Sequence, residues 1–208
     1  MIVKKFILGL LLSLILSVSG FCQVSDESLN LTLDQNIQQP EVPRRAKEYV
    51  RLHIDQLRRN LSKSGFNPTL VREDDVIKMT LLCDSLFYPG SVEIKPSALE
   101  LLRKLGLVVR EPSRYKVLVA VHTDDTGDEM YSDSISASRA NAIDDALWVI
   151  AGEKDTNVIP YGIGKDNFIL KNSSRANRSK NRRVEIYIVP DDGLIELSGV
   201  KRKTKTHK

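Results

Sequence analysis

Apolar residues set the first readable rhythm of this chain. Ala46, Val50, Ile54, Leu57 and Leu61 recur every three or four positions, while Arg51, Asp55, Arg58 and Arg59 fall elsewhere. That spacing predicts an amphipathic helix, ended by Gly65 and Asn67-Pro68. Its stripe would pack on the segment behind it, or else meet a partner or a membrane surface. His53 lies off the stripe and reads as solvated. Residues 76–82 are then rich in apolar side chains between Asp74-Asp75 and Asp84, as a strand should be. Pro96 suits the first turn of a helix, and Ala98, Leu101, Leu102 and Leu105 form one face of it, with Gly106 a terminator or a tolerated interruption. Residues 115–121, YKVLVAV, are nearly all apolar, which predicts a central strand covered on both faces. The next helix should run from about Ser132 or Ser136 to Ala151, with Ala140, Ile143, Leu147 and Ile150 inward, Trp148 near that face and Gly152 closing it. Two more strands are expected at 157–161 and 183–189. The order β-α-β-α-β-β implies a two-layer α/β sandwich, helices packed on one sheet.

The ends of the chain differ from this middle. Residues 1–22 begin with Lys4 and Lys5, continue in an apolar run from Phe6 to Val18, and close on Gly20 and Cys22, the layout of a secretory signal peptide. The run is shorter than the roughly 20 apolar residues that a membrane span needs, so no transmembrane span is expected in the mature chain. Cleavage after Cys22 would leave Cys83 as the single thiol and no intramolecular disulfide. Acylation of Cys22 as a lipid anchor is the alternative, against which bulky Phe21 argues. Residues 23–43, with Gln35, Gln38, Gln39, Pro40 and Pro43, read as a polar linker, and 44–75 as the amphipathic helix and its connector. The tail, 191–208, ends in KRKTKTHK, a basic stretch suited to anionic polymers or simply solvated.

Composition narrows the classes. The 208 residues are 41% hydrophobic and 28% charged, which suits one compact domain with appendages. The formal net charge of +4 falls by two without Lys4 and Lys5, too little to imply nucleic acid. The three histidines show no HExxH or paired-cysteine spacing, so no metal and no cofactor is expected. Cys83 and His122 could be imagined as a thiol–imidazole couple, but a buried inert thiol is the better reading, and the chain is read as a non-enzyme.

The chemistry that stands out lies at 122–141, HTDDTGDEMYSDSISASRAN. Asp124 follows a strand and Arg139 lies on the next helix, so folding could bring opposite charges to one rim without burying either. An acceptor-only carboxylate and a donor-only guanidinium fork together can grip a zwitterion. The plainer alternative is that Asp124 caps the loop and Arg139 pairs with Asp128, Glu129 or Asp133, surface pairs of little worth.

Five blocks in order carry a resemblance: LFYPGSVEIKPSALELL at 86–102, VHTDDTG at 121–127, ISASRANAI at 135–143, YGIGKDN at 161–167 and NSSRANRSKNRRVEIYI at 172–188. Together they resemble the OmpA-like family of peptidoglycan-binding domains over residues 76–190. The resemblance implies non-covalent binding of peptidoglycan by the diaminopimelate of its stem peptides, at the cell wall of a Gram-negative bacterium. It implies a periplasmic location, with outer-membrane association. By the same resemblance Asp124 takes the ligand's ammonium and Arg139 its carboxylate. Thr123 donates or orients, Phe87 packs under the methylene chain, and Asn181 with one arginine of the Asn181-Arg182-Arg183 run, taken as Arg183, lines the rim. Ser132 stands where the family has asparagine; it keeps a helix cap but has a shorter reach. Other envelope proteins are candidate partners through the helix after Pro43. The competing function is an exported scaffold or adaptor whose basic tail or N-terminal helix binds envelope partners without a working peptidoglycan pocket.

Overall fold

A computed structural model describes residues 31–152 and 157–200. The expected signal peptide, Cys22, the first part of the linker and the KRKTKTHK tail lie outside the described residues. In chain order the elements are α1 (Leu33–Gln38), α2 (Lys47–Lys63), β1 (Thr69–Val71), β2 (Val76–Leu82), α3 (Cys83–Leu86), α4 (Pro96–Val109), β3 (Tyr115–His122), α5 (Glu129–Ala151), β4 (Val158–Gly164), α6 (Arg175–Asn181), β5 (Arg183–Pro190) and α7 (Asp192–Leu197).

The strands form one sheet in the order β1-β2-β5-β3-β4. β5 runs antiparallel to both β2 and β3, whereas β3 and β4 are parallel and joined across α5. β3 is interior and every one of its residues is buried, as its unbroken apolar run predicts. Alternation sorts the side chains: Val117, Val119, Val121, Val184, Ile186 and Ile188 point to the helical layer, with Leu102, Leu105, Ile143 and Leu147. Helix α2 joins that core through Val50, Ile54 and Leu61, so its stripe covers the domain that follows. Gly106 proves to be an interruption inside α4, and a Cβ there would lie 2.7 Å from Ile150 Cγ2, so the glycine lets α4 and α5 approach. Gly162 does the same for β4 and α5, since a Cβ would meet Ala137 Cα at 2.7 Å. Among the described residues no helix is long and apolar enough to cross a membrane.

Three expectations change. Residues 31–43 are not a free linker: Thr32 and Gln35 form a capping box that starts α1, and Leu33 and Ile37 pack on the opposite sheet face with Leu118, Tyr187 and Val189. Asn36 is fully buried there, donating to Tyr161 Oη at 2.5 Å and accepting from Lys116 Nζ at 2.8 Å. Short β1, unforeseen, extends the sheet by pairing with β2. Trp148 is 44% exposed, because one residue beyond Leu147 turns it about 100° off the inward stripe.

Candidate functional site

A cleft of about 340 Å³ opens beyond the C-terminal end of β3. Its walls are the loop after β3, the start and middle of α5, the segment after α3, and the two ends of α6. Four of the seven residues expected from the sequence line it: Phe87, Thr123, Asp124 and Arg139. Asp124 and Arg139 thus face one space, but neither sits exposed at its rim. Asp124 is 3% and Arg139 5% exposed, so the two charges form the base of a recess.

Asp124 is held by its own loop and by an arginine. Its Oδ1 accepts from Thr126 N at 2.8 Å and its Oδ2 accepts from Arg182 Nη1 at 2.5 Å. Gly127 gives this loop its turn at φ 90°, where a side chain would be strained. Burial alone would raise the Asp124 carboxyl, but the bonds from Thr126 and Arg182 outweigh it and hold the group below the usual carboxylate range. Arg182 also grips Asp84 with Nε and Nη2, at 2.9 and 2.6 Å, which keeps the Asp84 carboxyl low as well. The guanidinium therefore bridges two carboxylates.

Arg139 is different. Its Nε donates to Ser91 O at 2.9 Å and its guanidinium lies 5.1 Å from the Phe87 ring centre. Among the described residues it forms no ion pair, neither with Asp128, Glu129 or Asp133 nor with Asp124. A cation this deep without a counter-ion is an electrostatic cost. Phe87 is 1% exposed and floors the cleft beneath it. Thr123 donates its backbone N–H to Gly164 O at 2.8 Å, while its buried hydroxyl has no partner among the described residues.

The other three expected residues do not line the cleft. Helix α5 starts earlier than expected, at Glu129, with Asp128 as its cap: the carboxylate accepts from Tyr131 N at 2.7 Å. Ser132 is consequently one turn inside the helix, fully buried, with its hydroxyl donating to Asp128 O at 2.8 Å. Asn181 is fully buried and pins the loop before α6. Its Oδ1 accepts from Ile169 N and Leu170 N, and its Nδ2 donates to Leu170 O and Asn172 Oδ1. Arg183 lies on the sheet face opposite the main helical layer, where its Nε donates to Glu185 Oε1 at 2.8 Å and its Nη1 to Asn167 O at 3.0 Å. Glu185 also accepts from Tyr187 Oη at 2.7 Å and pairs with Lys78, with His122 Nε2 3.7 Å away. Burial would raise the Glu185 carboxyl, but these partners outweigh it and hold the group well below its usual value. The arginine of the pair that reaches the cleft is Arg182, which caps α6 before the strand begins. The sequence reading also missed Asp84 and Arg175. The motif blocks flagged no role for either, although Asp84 opens α3 and Arg175 opens α6.

Cys83 is 1% exposed, and burial pushes its thiol up to about 12, so it carries almost no thiolate near neutrality. Among the described residues no group of histidine, cysteine and carboxylate side chains could hold a metal ion.

The comparisons with known proteins fall on this same region. The model of the OmpA family matches residues 86–182, which include every residue of the cleft except Cys83 and Asp84. The Probable lipoprotein YiaD of Escherichia coli (strain K12) is 28% identical over 142 residues, 68% of this chain and 64% of that protein. The Peptidoglycan-binding protein ArfA of Mycobacterium tuberculosis (strain ATCC 25618 / H37Rv) is 32% identical over 93 residues, 45% of this chain and 28% of that protein. The chain spans less than two thirds of the length of either relative. Among solved structures, a putative MotB like protein from Desulfovibrio vulgaris aligns with a TM-score of 0.58 at 23% identity, covering 70% of this chain and 98% of that one. At that identity the likeness is one of fold.

Proposed function

This chain carries a domain of the OmpA family at residues 86–182, and from that premise we propose that it binds peptidoglycan non-covalently through the diaminopimelate of a stem peptide. The observation that carries the reading is Arg139, a buried cation that forms no ion pair among the described residues, facing the same cleft as the Asp124 carboxylate. The free end of a diaminopimelate side chain bears an ammonium and a carboxylate on one carbon. The carboxylate goes to the unpaired Nη donors of Arg139, which present a planar fork to it. The ammonium goes to Asp124, whose two oxygens offer about four lone-pair sites and spend two on Thr126 and Arg182. The Phe87 ring lies beneath the methylene chain, and the Thr123 hydroxyl has hydrogen-bonding capacity free for the ligand.

Charge-assisted hydrogen bonds contribute roughly 1.5–3 kcal/mol each, against desolvation and ordering of the ligand. Two or three of them give micromolar to millimolar affinity, on the order of −4 to −8 kcal/mol. A weak single contact suffices where the ligand repeats along a polymer. Binding without turnover fits the buried, protonated Cys83. We place the chain in the periplasm, associated with the outer membrane, with residues 76–190 as the wall-binding unit. The 35% identity over 105 residues to a Pseudomonas aeruginosa protein named as an outer-membrane lipoprotein supports that location.

Sedimentation with purified sacculi tests the assignment. Asp124→Ala and Arg139→Ala should each abolish co-sedimentation with an unchanged far-UV spectrum. Retention of binding by both variants would remove the site.

A further inference from the structure

A neutral ligand leaves the cleft with a charge it does not use. Three arginines, Arg139, Arg175 and Arg182, line it against two carboxylates, Asp84 and Asp124. Arg182 is committed to both carboxylates. A zwitterion adds one charge of each sign and leaves the surplus positive charge in place. The surplus is at Arg175. Its side chain is exposed, lines the mouth of the cleft, and among the described residues forms no ion pair or side-chain hydrogen bond. The helix that carries it is nevertheless anchored. Ser174 caps α6 by accepting from Asn177 N at 3.1 Å, Asn177 Nδ2 donates to Lys171 O at 2.9 Å, and Arg178 Nη1 donates to Asn172 O at 2.7 Å. An exposed cation on an anchored helix at the mouth of a binding cleft, with no ion-pair partner among the described residues, suits a second anionic group on the ligand.

We infer that Arg175 receives a second carboxylate of the bound stem peptide, so that the cleft recognises an acidic peptide and not an isolated zwitterionic amino acid. This rests on the wall-binding reading above. The peptide offers two sources of that group. One is the α-carboxylate of the γ-linked glutamate that precedes diaminopimelate, and the other is the C-terminal carboxylate of the alanine that follows it. Both lie one residue from the zwitterion; free diaminopimelate has neither, and its own second carboxylate shares a carbon with a second ammonium, so that end is neutral. Because Arg175 is open to water, its contribution is modest and screened by salt.

Calorimetric titration of the purified protein with four probes tests this. They are free meso-diaminopimelate, the tetrapeptide L-Ala-γ-D-Glu-diaminopimelate-D-Ala, its glutamate α-amide and its C-terminal amide. The wild type should bind the tetrapeptide about three- to fivefold more tightly than one of the two amides, and which amide loses affinity identifies the source. Arg175→Gln should erase that difference and leave the affinity for free diaminopimelate unchanged, and Arg175→Lys should preserve most of the difference. Equal binding of the tetrapeptide and both amides by the wild type would overturn the inference. So would an Arg175→Gln variant that keeps the preference, or that weakens free diaminopimelate by the same factor. Failure of the wild type to bind any of the four would remove the wall-binding reading itself.

Discussion

Arg139→Met distinguishes an arginine buried for a ligand from one buried for the fold. Among the described residues the side chain makes one hydrogen bond, to Ser91 O, and it sits 5.1 Å from the Phe87 ring centre. Losing a hydrogen bond to a charged group costs about 1.5–3 kcal/mol, and losing the contact with the ring costs roughly 0.5–2 kcal/mol. Against this, removing a cation that is 5% exposed and forms no ion pair among the described residues recovers a desolvation penalty of several kcal/mol. Methionine keeps the packing of the arginine stem. The opposing contributions nearly cancel, so the variant should lie within about 1 kcal/mol of the wild type. Arg182→Met is the contrast: it strands Asp124, whose side chain is 4% exposed, and should cost about 3 kcal/mol. In urea, with a slope of about 2 kcal/mol per molar, the first midpoint should move by no more than about 0.5 M and the second fall by about 1.5 M. Sacculus binding should be lost in the Arg139 variant. If Arg139→Met destabilised the protein as much as Arg182→Met, Arg139 would be a structural residue and the reasoning from its missing counter-ion would be wrong.

Two further outcomes follow from the buried titratable groups. Burial, with Asp145 beside it, pushes the Asp144 carboxyl up to about 6. The folded state therefore holds that proton more tightly than the unfolded chain. The stabilisation is fully present below about pH 4 and is lost as pH rises through about 6. Asp144→Asn should raise stability at pH 7 by on the order of 1 kcal/mol and leave it unchanged near pH 4, read from thermal melts at the two pH values. Cys83, with its thiol near 12, should resist a thiol-specific reagent at pH 8 in the native protein and react fully once urea unfolds the chain.

Local patterning made the helices and strands of the sandwich legible, because each carries one apolar face. Val50, Ile54 and Leu61 on α2 and the unbroken β3 are examples. Two of the three misplaced side chains near the site were legible in principle. Arg183, Glu185 and Tyr187 alternate with Val184, Ile186 and Ile188, and that period of two puts Arg183 on the face away from the helical core. Asp128, followed by Glu129, is a better helix start than Ser132, and it moves the first turn back by one. Helix α1 was also signalled, by the Thr32 and Gln35 capping box and the Leu33–Ile37 pair, but its polar surroundings hid it. What the sequence could not carry is the bridge of Arg182 between Asp84 and Asp124. The latter pair are 40 residues apart, and only the sheet order brings them together. For the same reason the depth of the recess was unforeseen: charge spacing along a chain says nothing of how far walls from other elements rise around it.

The most direct measurement compares two stem peptides that differ only at the third residue, diaminopimelate in one and lysine in the other, by titration into the wild-type protein. Lysine keeps the ammonium and the methylene chain and lacks only the carboxylate assigned to Arg139. The diaminopimelate peptide should bind with micromolar to millimolar affinity, and the lysine peptide at least about tenfold more weakly, the equivalent of one charge-assisted contact. Equal affinity for the two would mean that Arg139 does not receive the ligand's carboxylate.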